Sequence, residues 1–153
     1  MNRRTLLKRS LAVSAVGIAA SAGLLAPGQV LAAYPKTAFQ AKDSTAALND
    51  VLGSSSYSES GDIKIKAPDI AENGSVVPVT VSTSISGVES VTLLADANAT
   101  PLLASFDLSN AEPYVSTRIK MGKTGNVIAV VKSGGKLYST KKEVKVTIGG
   151  CGG

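Results

Sequence analysis

The chain has 153 residues, with sixteen Lys and Arg against eleven Asp and Glu, a net charge of +5, no histidine, no tryptophan and one cysteine. The lack of histidine excludes Ser-His-Asp and Cys-His catalytic arrangements, the commonest general base and most transition-metal sites. One cysteine cannot build a zinc, haem or iron–sulfur centre from this chain alone, so neither an autonomous enzyme nor a resident cofactor is expected.

At the N-terminus, Arg3-Arg4-Thr5-Leu6-Leu7-Lys8-Arg9 leads into an apolar, small-residue stretch from Leu11 to Leu25, then Pro27 and Val30-Leu31-Ala32-Ala33. That stretch is 15 residues long, short of the roughly 20 needed to span a bilayer. A basic start, a short apolar segment and a small-residue site predict a signal peptide over 1–32, cleaved after Ala32 or Ala33. The pair Arg3 and Arg4 followed by Leu6, Leu7 and Lys8 resembles a twin-arginine export signal, although Asn2 and Leu6 stand where Ser or Thr and Phe are commonest. Plain Sec export is the alternative. The expected location is the periplasm, with no membrane association after cleavage. Because the twin-arginine route moves folded proteins and no cofactor site is visible, the chain is expected to fold onto a partner before export.

Residues 1–32 hold four of the sixteen basic residues and no acidic one, leaving twelve against eleven and a net charge of about +1. A nucleic-acid partner therefore loses its electrostatic basis. About 120 residues suffice for one domain with its own core.

Ala38-Phe39, Ala46-Ala47-Leu48 and Val51-Leu52 recur at helical spacing, with Gly53 where a cap would sit, so one short amphipathic helix is predicted near 37–52. Ser54–Gly61 is polar and serine-rich and reads as a linker, making 33–61 a helix-and-linker segment. From Asp62 the period changes to two. Seven strands are predicted, over Ile63–Ala67, Val76–Ile85, Val88–Ala95, Leu102–Leu108, Tyr114–Met121, Val127–Val131 and Lys136–Ile148, separated by turn residues such as Ala67-Pro68-Asp69, Glu72-Asn73-Gly74 and Ser133-Gly134-Gly135. This is the pattern of a mainly β, immunoglobulin-like antiparallel sandwich over 62–148 with a short N-terminal helix. Lys141-Lys142 reads as a solvated face or edge guard, and Asp69 with Glu72 as turn chemistry.

The chain ends Gly149-Gly150-Cys151-Gly152-Gly153. Glycine has no Cβ, so four glycines around the only thiol predict a thin, mobile arm over 149–153 able to enter a narrow pocket. Three residues from Ile148 to Cys151 let the sulfur stand about 10 Å beyond the strand end. Terminal disorder accounts for the glycines but leaves the accessible thiol unexplained. With one cysteine no internal disulfide forms, so the thiol stays free, pairs with another molecule or carries cargo. At an ordinary pKa of about 8.5 it is only a few per cent thiolate near neutral pH, a quiet thiol for a partner's site to activate. The Gly152-Gly153 end also suggests a carboxyl-terminal thiocarboxylate carrier, but that route needs ATP, which an exported compartment does not supply.

The terminal Thr147-Ile148-Gly149-Gly150-Cys151-Gly152-Gly153, with Ile63-Lys64-Ile65-Lys66-Ala67-Pro68-Asp69-Ile70-Ala71-Glu72-Asn73-Gly74-Ser75-Val76-Val77-Pro78-Val79 upstream, resembles the SoxY family of sulfur carriers of the bacterial thiosulfate-oxidising Sox system. The resemblance covers the whole chain after the signal. It implies an immunoglobulin-like domain paired with a SoxZ-like β-sandwich subunit in the periplasm. It implies further that Cys151 holds thiosulfate-derived sulfur as an S-thiosulfonate and then a persulfide, on an arm of Gly149, Gly150, Gly152 and Gly153. The implied partners are a c-type cytochrome sulfur-coupling complex, a manganese-dependent hydrolase that releases sulfate, and a sulfane dehydrogenase, with haem and manganese belonging to them. The rival readings are a structural immunoglobulin-like module whose Cys151 forms an intermolecular disulfide, and an enzyme subunit lending a nucleophilic cysteine to a shared site.

Overall fold

The computed structural model describes residues 34–147. The predicted export signal with Arg3 and Arg4, and the arm of Gly149, Gly150, Cys151, Gly152 and Gly153, lie outside the described residues.

The helical stretch forms as two helices, α1 (Lys36–Gln40) and α2 (Ser44–Leu52), rather than one. Asp43 causes the break. Its backbone is extended (φ −135°, ψ 155°), and its carboxylate accepts the Ala46 N–H at 2.8 Å, so it starts a new helix instead of continuing the old one. Gly53 ends α2 in the left-handed conformation, its N–H bonded to the Asn49 carbonyl at 3.0 Å, at the position the sequence marks for a cap.

All seven predicted strands are present, shortened or extended by a residue or a few at their ends. With two further short pairings they are β1 (Ser58–Glu59), β2 (Ile63–Lys66), β3 (Ile70–Ala71), β4 (Val77–Thr83), β5 (Val88–Ala95), β6 (Leu102–Asp107), β7 (Tyr114–Ile119), β8 (Gly125–Ser133) and β9 (Lys136–Val146). One sheet runs β1-β9-β8-β5-β6 and the other β2-β4-β7, giving the immunoglobulin-like sandwich. The hairpin between β8 and β9 turns on Gly134 and Gly135, both at positive φ (57° and 72°), the conformation a two-residue turn matching the strand twist requires. It fixes a register in which Val131 faces Tyr138 and Val127 faces Lys142.

Alternate residues of the two sheets meet in the main core. Val77, Val79 and Val81 of β4, with Ile63, Val115 and Ile119, pack against Val91, Leu93, Val127, Ala129, Val131 and Val144. Each valine, leucine or isoleucine among them contributes roughly 1.5–3 kcal/mol on full burial. A second core lies on the outer face of the larger sheet, where Ala38, Ala47 and Leu48 of the helices seat on Leu94, Leu102, Val130 and Leu137. The helical segment is thus a third layer, and β5 is buried almost continuously from Val91 to Ala95 because it is covered from both sides.

The serine-rich stretch read as a linker contains β1, which pairs parallel with the start of β9 (Ser58 opposite Tyr138). β3 pairs parallel with the end of β9, Ile70 opposite Lys145 and Ala71 opposite Val146. Between these two touches the chain crosses to the other sheet as β2, antiparallel to β4. Both ends of the outer edge of β9 are therefore occupied.

Candidate functional site

Thr147 is the last described residue, so the end of the sandwich around it is the platform that leads into the terminal glycine and cysteine residues. The platform is built by hydrogen bonds from three directions. From β3, the Asp69 carbonyl accepts the Lys145 N–H at 2.9 Å and the Ala71 carbonyl accepts the Thr147 N–H at 3.1 Å. From the turn after β7, the Thr124 hydroxyl accepts the Val146 N–H at 2.9 Å and lies 3.4 Å from the Val146 carbonyl oxygen. From the turn before β4, the Gly74 carbonyl accepts the Met121 N–H at 2.7 Å.

Neighbouring loops are tied in the same way. Asn98 donates to the Lys120 carbonyl at 2.7 Å and accepts the Gly122 N–H at 2.9 Å. Asp96 takes both the backbone and side-chain N–H of Asn126 at 2.8 Å. The last strand is thus hydrogen-bonded through Thr147. Cys151 stands four positions later in the sequence, so its backbone reach from this anchor is at most roughly 13–14 Å.

Gly74 is where the platform is tightest. A Cβ there would overlap the Met121 carbonyl oxygen and stand 2.8 Å from Cγ1 of Val146. Gly74→Ala is expected to cost about 1–3 kcal/mol by overpacking, seen as a lower midpoint in urea unfolding. An unchanged midpoint would show that the turn yields freely.

Two large apolar side chains are exposed at this end, Ile70 (58%) and Val76 (49%). Asp69, read from sequence as turn chemistry with Glu72, lies 3.0 Å from Lys142 Nζ in an ion pair, and Asp69 is 90% exposed. Such an exposed pair is worth at most about 1 kcal/mol. Lys142 is thus paired, while Lys141 is exposed as expected of an edge residue. Asp107, whose carboxyl is held below the usual range by the backbone N–H and then the hydroxyl of Ser109, closes β6 at the opposite end. Among the described residues no group of His, Cys, Asp or Glu could hold a metal ion.

The clamp on the last strand has no signal in the sequence. Thr124 lies in the loop between β7 and β8, yet its hydroxyl acts on a strand 22 residues away. Ala71 acts on Thr147 across 76 residues. Neither carries a local pattern from which the contact could be read.

A family model for the sulfur oxidation protein SoxY matches residues 48–151. The solved structure of the sulfur carrier protein SoxY from Chlorobium limicola f thiosulfatophilum is 51% identical, with a TM-score of 0.60, over 67% of this chain and 94% of that one. A superoxide reductase (neelaredoxin) from Ignicoccus hospitalis is 23% identical with a TM-score of 0.51, over 56% of this chain and 80% of that one, a likeness of fold alone. No curated protein matches the sequence.

Proposed function

The chain belongs to the SoxY family of sulfur-oxidation proteins, which gives it a sulfur-carrier role, and on that premise we propose that the cargo is held covalently on Cys151. The observation that carries this reading is that the family match runs through to residue 151, the chain's one thiol. The platform supports it, since a strand pinned through Thr147 gives the following residues a fixed origin.

The chemistry balances as two steps. The Cys151 thiolate and thiosulfate form a sulfur–sulfur bond, giving the cysteine S-thiosulfonate and releasing two electrons to a c-type cytochrome partner. Water then attacks the terminal sulfone sulfur, sulfate and two protons leave, and a cysteine persulfide remains on the chain. A manganese-dependent hydrolase performs the second step, and a sulfane dehydrogenase or another acceptor takes the persulfide sulfur. The chain acts as the substrate of these enzymes, and a SoxZ-like subunit pairs with it as the working carrier.

Intact mass spectrometry of the mature protein after incubation with a thiosulfate-grown periplasmic extract, with and without reductant, tests this. Reductant-sensitive additions of sulfur or of a thiosulfate group are expected. A bare thiol or a simple disulfide dimer throughout would overturn the reading in favour of a structural module. The proposed location is the periplasm by the twin-arginine route. Replacing Arg3 and Arg4 by Lys is expected to leave the precursor in the cytoplasm on fractionation, and normal export of that double variant would rule the route out.

A further inference from the structure

The two sheets differ in what covers them. The outer face of the larger sheet lies under the helices, whereas no described residue forms a layer over the outer face of β2-β4-β7. Along these strands the valines and isoleucines point inward, so the outward positions follow from the alternation. The middle strand presents the small side chains Pro78, Thr80 and Ser82. On one flank stand Lys64 and Lys66, opposite Ser82 and Thr80; on the other, Arg118 stands opposite Pro78 and Tyr114 opposite Ser82. Thr80 and Ser116 share a hydrogen bond at 3.2 Å, which fixes the hydroxyls on the floor. The result is a shallow concavity rimmed by Lys64, Lys66, Tyr114 and Lys142.

No outward position of the three strands carries a carboxylate. The nearby acids are Asp62 and Glu112, in the loops at the Tyr114 end, Glu72, in the turn at the Pro78–Arg118 end, and Asp69, engaged by Lys142. In a mature chain of almost balanced charge, this is a local segregation of sign. Protection of the edge strands β2 and β7 accounts for the cations one by one. It does not account for small side chains in the middle strand, nor for Tyr114 standing 57% exposed. Tyrosine and arginine flanking a flat floor are the residue types that dominate protein–protein hot spots, and a one-signed rim steers a partner of opposite sign. Three cations without an ion-pair partner among the described residues do not make a track for a nucleic-acid backbone.

We propose that the outer face of β2-β4-β7 is a docking face for an acidic protein surface. Its placement gives it a use: the Pro78–Arg118 end of the face adjoins the tail platform, because the turn at Gly74 joins the start of β4 to Met121 and abuts Val146. A partner seated here lies beside the strand end that leads to the arm. That the docked partners are the enzymes acting on the arm sulfur rests on the carrier reading above.

The test is a titration of the isotopically labelled chain with an oligoglutamate peptide, followed by amide chemical shifts. Saturable shifts confined to β2, β4 and β7 are expected at low salt and are lost near 1 M salt, where the screening length is about 3 Å. Combined Lys64→Glu, Lys66→Glu and Arg118→Glu should weaken binding at least about tenfold, with circular dichroism unchanged because all three side chains are exposed. Lys136→Glu with Lys141→Glu, on β9, should leave it intact. Shifts spread evenly over the surface, or lost equally in the β9 control, overturn the docking face. Self-association of the free chain that the triple reversal removes also overturns it, in favour of a second copy. The rate of thiosulfate-dependent loading in extract then separates the two readings. Loading unaffected by the triple reversal rejects the arm enzymes as occupants, whereas absence of loading in the wild type sinks the carrier reading and leaves the peptide titration to decide the face.

Discussion

Replacing Cys151 by serine is expected to abolish every reductant-sensitive mass addition while leaving the unfolding midpoint unchanged. The first half follows from chemistry. A serine hydroxyl cannot form a bond to sulfane sulfur that a thiol reductant reverses, and the chain holds no second thiol to substitute for it. The second half follows from where the fold is held. Both hydrophobic cores are made by residues between Ala38 and Val144, and the last strand is clamped through Thr147 by Ala71 and Thr124. A conservative change four positions beyond that clamp should stay within about 0.5 kcal/mol of wild-type stability. Intact mass and urea unfolding on the same sample check both halves. Sulfur still acquired by the serine variant would remove Cys151 from the carrier role; a lowered midpoint would mean that the arm contributes to the fold.

Most of the sandwich was legible because its strands bury one face. Ile63 and Ile65 alternating with Lys64 and Lys66 declare both a strand and the side of it that faces the core, and the structure places them so. The helix boundary at Asp43 was missed because an aspartate inside a helical period reads as a solvated position until its carboxylate is seen capping Ala46. β1 and β3 were missed for a different reason. Two residues carry no periodicity, and a parallel pairing with a strand more than 70 positions away leaves no local trace. The carrier reading of the tail rests on residue types alone, a lone thiol in a chain without histidine. The clamp on the strand before it could not be read, because it depends on backbone carbonyls that every residue possesses and on a hydroxyl 22 residues away.

Two strands carry a subtler signal. Val91-Thr92-Leu93-Leu94-Ala95 and Val127-Ile128-Ala129-Val130-Val131 are continuous apolar runs rather than alternating ones, the mark of strands covered on both faces. Odd positions of the first run fill the inter-sheet core, and Leu94 lies beneath the helices. The only polar residue in either run, Thr92, is fully buried and satisfied by a 2.9 Å hydrogen bond to Ser105. Those two runs called for a third layer, and the amphipathic stretch near 37–52 was the segment available to supply it.

Leu48→Ala measures how much that layer contributes. Leu48 is 1% exposed and is the largest fully buried helical side chain among the described residues, set against Leu94, Leu102, Val130 and Leu137. Truncation removes its transfer free energy and leaves a cavity over a sheet that cannot close up, because the other face of the same strands is committed to the main core. The expected loss is about 2–5 kcal/mol, seen as a lower urea midpoint. Were the helices an appended segment resting loosely on the domain, the same change would cost no more than about 0.5 kcal/mol, the level of an ordinary surface substitution. The slope separates two ways of losing stability. An unchanged slope means the helical layer unfolds with the sandwich, while a shallower slope or a separate early transition means it detaches first. In either case loading of Cys151 in conditions that keep the sandwich folded should match wild type, because the arm leaves from the platform of β3, β9 and the Thr124 turn and not from the helical layer.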